Sequence, residues 1–297
     1  MRICLASIFF TLIFTIGSSI SAKDFHVYYL GGQSNMDGYG FVKELPDELK
    51  NGVPDVRIFH GDMGKDGEAP SGEGKWSELK AGHGRNFASD GKVNQYSDRF
   101  GAELTMATRL KEMYPDRNIA FIKYSRGGTS ISSDASAQKT FGAWDPDWEG
   151  GEGKGKKINQ YDHFLATLSN ARADKDIDDD GEEDKLIPVG IVWMQGESDA
   201  MEPEVAAKYE ANLSELMNLL RKDLGNENAR VVVGRITDWK VWTHGDVVRK
   251  AQADFVTKDK NAALVTSTDK YGNSDKWHYD TAGYLDLGKK FAEAFKE

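Results

Sequence analysis

Short blocks of this 297-residue chain carry the residue types that acyl transfer needs: a serine hydroxyl, an imidazole, and a carboxylate to orient it. The first block, Gly31-Gly32-Gln33-Ser34-Asn35-Met36-Asp37-Gly38, follows an apolar, β-rich run at residues 25–30. The Gly pair and the small polar residues after it stop a strand, so Ser34 falls at a strand's carboxyl end, where ligands bind in open α/β sheets. An ordinary strand-to-helix turn, with Ser34 as the N-cap, is the competing reading. Near the other end of the chain stands Asp275-Lys276-Trp277-His278. This D-x-x-H spacing brings a carboxylate to the imidazole Nδ1 while Nε2 faces a serine. Of the six histidines, His278 alone has that setting. His26 lies in a strand run, His163 on an amphipathic helix, and His60, His83 and His244 in loops without such a constellation.

Two further blocks lie between these. Arg126-Gly127-Gly128-Thr129-Ser130 follows an apolar run at residues 119–124, and its Gly pair lets backbone amides turn toward an anion without Cβ obstruction, although a plain turn would look the same. Trp193-Met194-Gln195-Gly196-Glu197-Ser198-Asp199 ends the run at 187–194. Polar residues directly after a buried strand need partners, which an active site can supply; an N-cap role for Ser198 or Asp199 is compatible with that.

Taken in order, the four blocks resemble the SGNH (GDSL-like) hydrolase superfamily and, more narrowly, its carbohydrate acetylesterase branch of the sialate O-acetylesterase and acetyl xylan esterase type. The resemblance runs from about residue 25 to the last helix. It implies Ser34 as nucleophile, His278 as base and Asp275 as its orienting carboxylate. It also implies an oxyanion hole made by the backbone N–H groups of Ser34 and Gly128, with Gly128 favoured over Gly127, and by the side-chain amide of Gln195. Gln33, Asn35, Gly127 and Glu197 are expected in support, with Glu197 either bracing the Gln195 amide or itself orienting His278.

The elements that must position these blocks alternate regularly. Strand runs at residues 25–30, 56–59, 119–124, 187–194, 229–236 and 262–266 interleave with helical periodicity at 98–114, 159–174, 209–224, 247–258 and 282–296. This pattern predicts a three-layer α/β/α sandwich around a parallel sheet of about five strands, flavodoxin-like as in SGNH hydrolases. Two insertions interrupt it. A polar loop at residues 61–94 holds Trp76, His83 and Phe87, which either wall a sugar cleft or pin the loop to the body. The second insertion, Trp144, Trp148 and the glycine-rich residues 150–157, offers a cleft rim. Trp239 and Trp242 follow the fifth strand run and are read as substrate contacts or core.

Residues 1–22 read as a secretory signal peptide: Arg2, an apolar run at residues 3–16, then small residues up to Ala22. The run is shorter than the roughly 18–20 residues a membrane span needs. Residues 23–297 are expected to form one esterase domain, without a thiol, since Cys4 is the only cysteine. The 48 acidic against 38 basic side chains argue against nucleic acid or an anionic membrane as partner. A monomer acting on an acetylated carbohydrate is expected, free of the membrane once the signal is cut.

Catalysis of this kind needs no cofactor, and no histidine pair stands at metal-ligand spacing. One run suggests a structural ion. Asp176, Asp178 and Asp180 alternate ahead of Gly181, and Asp184 follows, matching a D-x-D-x-D-G-x-x-D calcium loop except that Ile187 stands where the closing Glu belongs. A solvated acidic loop is the alternative. The sequence therefore predicts a secreted serine esterase that removes O-acetyl groups from a polysaccharide or from sialic acid. A carbohydrate O-acetyltransferase with the same triad and a non-catalytic glycan-binding module are the alternatives.

Overall fold

The computed structural model describes residues 22–64, 68–148 and 158–296. Residues 1–21 of the expected signal peptide and the glycine-rich residues 150–157 lie outside them. A run such as Val27-Tyr28-Tyr29-Leu30 offers no polar face, so it is stable only as a strand covered on both sides. Seven strands form one sheet: β1 Asp24–Gly32, β2 Val53–His60, β3 Ser77–Leu79, β4 Asn118–Ser125, β5 Lys185–Met194, β6 Arg230–Gly234 and β7 Ala262–Val265. Their order across the sheet is β7-β6-β5-β1-β4-β2-β3.

Six strands are parallel, and β3 closes one edge antiparallel to β2. All six strand runs read from the sequence are present, and with seven members the sheet is wider than the sheet of about five strands expected. The unforeseen member, β3, is three residues long with one neighbour, and Ser77-Glu78-Leu79 carries no apolar alternation to announce it.

The helices that bear on the site and its sheet are α1 Ser34–Asp37, α2 Glu103–Met113, α3 Gln160–Ala173, α4 Pro203–Leu224, α5 Gly245–Lys258 and α6 Thr281–Glu293, beside two other single-turn helices, Asp47–Lys50 and Gln138–Phe141. Successive strand side chains point to opposite faces, so the neighbours of Tyr28 and Tyr29 define the layers. Tyr28 meets Phe295, just beyond α6, at 4.9 Å, whereas Tyr29 meets Phe164 of α3 at 4.7 Å. Helix α6 also packs on α2, where a Cβ on Gly288 would lie 2.2 Å from Ala102 O. No helix among the described residues is long and apolar enough to cross a membrane.

The aromatic residues of the first insertion belong to the core. Trp76, His83 and Phe87 are buried, and Trp76 Nε1 donates to Ala171 O of α3 at 2.9 Å. Trp144 is likewise fully buried, with Nε1 on Thr129 Oγ1 at 3.0 Å. These rings pin their loops and do not wall a cleft.

Candidate active site

Strand register assembles the site. Gly32, the last residue of β1, pairs with Ser125 of β4 on one side and with Met194 of β5 on the other. The three blocks that follow therefore leave the sheet side by side at its carboxyl edge. The β1–β5 approach requires glycine: Gly32 has φ +143°, and a Cβ there would stand 2.1 Å from Met194 O. Beyond it, Gln33 N donates to Met194 O at 2.9 Å, and Ser34 opens the single-turn helix α1. Ser34 is thus the first helical residue, with Gln33 at the cap position.

The fourth block reaches this edge through Asn35. Its Nδ2 donates to Glu197 Oε1 at 2.7 Å and to Trp277 O at 3.2 Å. Its Oδ1 accepts from Tyr279 N at 3.4 Å and from the Tyr284 hydroxyl at 2.8 Å. The residue after the serine thus grips both neighbours of His278. The loop ends at Asp280, whose side chain caps α6 by accepting from Gly283 N.

In that loop Asp275 faces the imidazole: its Oδ2 and Oδ1 lie 2.8 and 2.9 Å from His278 Nδ1, and Oδ1 also accepts from the Trp277 and His278 amides. A carboxylate only accepts, so Nδ1 carries the proton and Nε2 is left basic. Of the two acids considered for this role, Asp275 meets the ring, while Glu197 is bonded to Asn35. Tyr39 stacks on His278 with ring centroids 3.4 Å apart and planes 8° from parallel. The same tyrosine lies near Gly127, where a Cβ would come within 3.7 Å of its hydroxyl and 3.3 Å of Ser34 Cβ. Among the described residues, neither the Ser34 hydroxyl nor His278 Nε2 has a hydrogen-bond partner.

Oxyanion donors must be N–H groups that the protein leaves unspent. No acceptor among the described residues takes the N–H of Ser34 or of Gly128. Gly128 has φ +77°, the turn conformation that its sequence block implied. Gln195 behaves otherwise. Its carboxamide is fully buried, and Nε2 donates to Asp199 Oδ2 at 2.6 Å and to Thr129 O at 3.1 Å. Both protons are committed, which corrects its expected part as an oxyanion donor. Instead Gln195 ties the third block to the second, and the Gln33 carboxamide meets it at 3.2 Å. Asp199 extends the tie by accepting from Ile131 N at 3.1 Å and Ser132 N at 3.2 Å.

Burial shapes the electrostatics. It pushes the His278 imidazole below its usual range, helped by Arg85 and Arg99 and opposed by Asp275. Burial acts on Asp275 in the upward direction, but its bonds from His278 and Trp277 prevail and hold the carboxyl below the usual range. Glu197 is pushed up to about 7 by burial, against its bond from Asn35. Asp37 is raised to about 6, again by burial, with Lys123 opposing.

Sequence reasoning left several supporting residues unassigned. Lys123 is fully buried in β4; its ammonium meets Glu103 at 3.0 Å, Asp37 O at 2.9 Å and His83 O at 2.7 Å, so it braces the turn that follows Ser34. A lone lysine inside an apolar strand is a signal that could have found it. Tyr39, by contrast, gives no signal before the fold is known.

The acidic loop lies at the opposite, amino-terminal edge of β1 and β5. Oxygens of Asp176, Asp178 and Asp184 come within 4.8 Å of one another. Yet the chain's own N–H groups hold most of them. Asp176 accepts from Asp180 N and Gly181 N, and Asp184 from Lys23 N and Ile177 N. Asp178 and Asp180 both take the Lys23 ammonium at 2.5 Å. Calcium asks for six to eight oxygen ligands; here the Lys23 ammonium already supplies a positive charge to two of the four carboxylates.

Comparisons with known proteins agree with the geometry. A family model described as carbohydrate esterase, sialic acid-specific acetylesterase, matches residues 24–297. Among solved structures, a protein from Arabidopsis thaliana is similar with a TM-score of 0.62 at 19% identity, over 93% of this chain and 98% of that one. NanS is similar with a TM-score of 0.57 at 18% identity, over 93% and 98%. A carbohydrate acetylesterase from Xanthomonas citri gives 0.58 at 16% identity; the match covers 91% of this chain but only 55% of that longer one. At such identities the structures speak for the fold alone, and no curated protein matches by sequence. The family model spans nearly all of the chain, which therefore belongs to the sialic acid-specific acetylesterase family of carbohydrate esterases and is a carboxylic ester hydrolase.

Proposed function

We propose that the protein is a secreted serine esterase that removes O-acetyl groups from a carbohydrate through an acyl-enzyme on Ser34. The observation that carries this reading is the Asp275–His278 contact of 2.8 Å, in a loop that Asn35 holds beside Ser34. His278 Nε2 takes the proton of Ser34 Oγ as that oxygen attacks the acetyl carbonyl. The N–H groups of Ser34 and Gly128 receive the oxyanion, and Gln195 and Asp199 hold the second block in place. The imidazolium then protonates the departing sugar oxygen. Water, deprotonated by the same imidazole, frees acetate and restores the serine.

Aromatic surface near His278 supports a sugar substrate. Trp277 is 46% exposed beside the histidine. Trp239 contacts Tyr279, the residue after His278, at 5.7 Å and lines, with Trp242, Asp238 and Lys240, a cleft of about 370 Å³. Rings of this kind present apolar faces to sugar C–H groups. The apolar residues 3–16 and the small residues up to Ala22 support export. The test is acetate release from acetylated sialic acid and acetylated xylan by the wild type and by Ser34→Ala. Release by the wild type and its loss in the variant are expected; full activity in Ser34→Ala would refute the assignment. With excess acceptor sugar, acetylated sugar in place of acetate would identify a transferase.

A further inference from the structure

The acidic loop gathers four carboxylates, Asp176, Asp178, Asp180 and Asp184, and the last three of them meet one residue from 155 to 161 positions away, Lys23. Its ammonium bridges Asp178 and Asp180, its backbone N–H donates to Asp184 Oδ1 at 2.9 Å, and its carbonyl accepts from Lys185 N at 2.9 Å. Every polar group of Lys23 is thus spent on this loop or on the strand that leaves it. Ala22, one residue earlier, is exposed. The side chains of Asp178 and Asp180 are 12% and 20% exposed, while that of Lys23 is 36% exposed, so the two carboxylates are partly covered and the ammonium still meets water.

We propose that this loop is a receptor for the protein's own mature amino terminus, created when the chain is cut between Ala22 and Lys23. The inference rests on the export reading above. In that cut, water hydrolyses the Ala22–Lys23 amide: Ala22 leaves with the new carboxylate, and Lys23 keeps the nitrogen, which becomes an α-ammonium. This nitrogen is the atom that already faces Asp184 at 2.9 Å. The change turns an amide donor into a charged one against a carboxylate, and charge-assisted bonds are roughly twice as strong as neutral ones. It also supplies two more protons, and Asp178 Oδ1, a buried oxygen in the same cluster, has no partner to satisfy it before the cut. Lys23 then presents two positive charges to four negative ones, the neutralising work that a dication would otherwise do. Because Lys23 leads directly into β1 and Lys185 opens β5, the lock clamps the central strand pair at the end away from Ser34.

Two forms of the full mature chain test this, one starting at Lys23 and one keeping Ser21-Ala22 in front of it, each also made as Asp184→Asn. The Lys23-first form is expected to melt about 2–4 °C higher, the shift that one charge-assisted contact gives in a domain of this size. Asp184→Asn should lower both forms and erase their difference. Adding calcium chloride or a chelator should move neither. Equal melting temperatures for the two unsubstituted forms, or a rise with calcium in the Lys23-first form, would overturn the docking. Mass spectrometry of the exported protein checks the cut separately: a first residue other than Lys23 overturns the maturation step, whatever the melting curves give.

Discussion

The two ends of the β1–β5 strand pair both carry polar clusters, and they differ in what is left unspent. At the amino edge, Asp176, Asp180 and Asp184 have their oxygens engaged by the chain, and Lys23 supplies the counter-charge. At the carboxyl edge, the Ser34 hydroxyl, His278 Nε2 and the N–H groups of Ser34 and Gly128 find no partner among the described residues. Satisfied groups hold a structure together, whereas unsatisfied groups beside a free edge are available to a substrate. The carboxyl edge nonetheless depends on satisfied groups one layer deeper: Asn35, Gln195, Asp199 and Lys123 complete their hydrogen bonds so that the outer four can be held without doing so.

The sharpest way to break this contrast is to remove the carboxylate that fixes the imidazole. Asp275→Asn keeps the size of the side chain but can donate to Nδ1 and favour the wrong tautomer. A fall in kcat/KM of about 10⁴-fold is expected, with the melting temperature little changed because Asp275 sits in a partly exposed loop. Steady-state acetate release checks it. A second, smaller effect comes from the deeper layer. Asp199→Asn removes the charged acceptor for Gln195 Nε2, Ile131 N and Ser132 N, loosening the turn that presents Gly128. A loss of about 10²-fold in kcat, the scale of one oxyanion donor, is expected with KM nearly constant. A change confined to KM would mean that Asp199 acts on binding instead.

Much of this was legible before the fold was known, and for physical reasons. Buried parallel strands have to be apolar throughout, so residues 119–124 and 187–194 announced themselves; the catalytic blocks sit at their ends because that is where a parallel sheet leaves room. The Asp275–His278 pairing was local, three residues apart, and so readable from spacing. Gln195 was misread because its partner, Asp199, lies four residues on inside the same block, and sequence does not say which of several acceptors a buried amide will choose. For Trp76 and His83 the sequence left a cleft wall and a loop anchor both open, because polar neighbours surround them in sequence; burial is set by the fold around them. The acidic loop matched a metal pattern because carboxylate spacing is visible, whereas the cation that answers it comes from Lys23, far away in the chain.

Changes at the amino edge should leave chemistry alone. Asp176→Asn weakens the acceptor of Asp180 N and Gly181 N, and it is expected to lower the melting temperature by a few degrees while kcat/KM stays within about twofold. A large loss of activity without unfolding would mean that the two edges are coupled through β1 and β5.

The smallest expected effect concerns pH. His278 must be neutral to act as base, so activity falls on acidification as the ring takes up a proton. Burial, with Arg85 and Arg99 nearby, places that acid limb below the ordinary imidazole value of about 6.5. The sign for Arg85→Gln follows directly: removing a positive charge makes the imidazolium less unfavourable, the folded-state pKa rises, and the limb of kcat/KM moves to higher pH while the plateau is unchanged. The guanidinium lies 5.0 Å from the Tyr39 ring on which His278 stacks, so the perturbation reaches the base through space and leaves the Asp275 contact intact. A limb that moves downward, or a plateau that collapses, would mean that Arg85 touches the substrate and does not merely set the charge around the histidine.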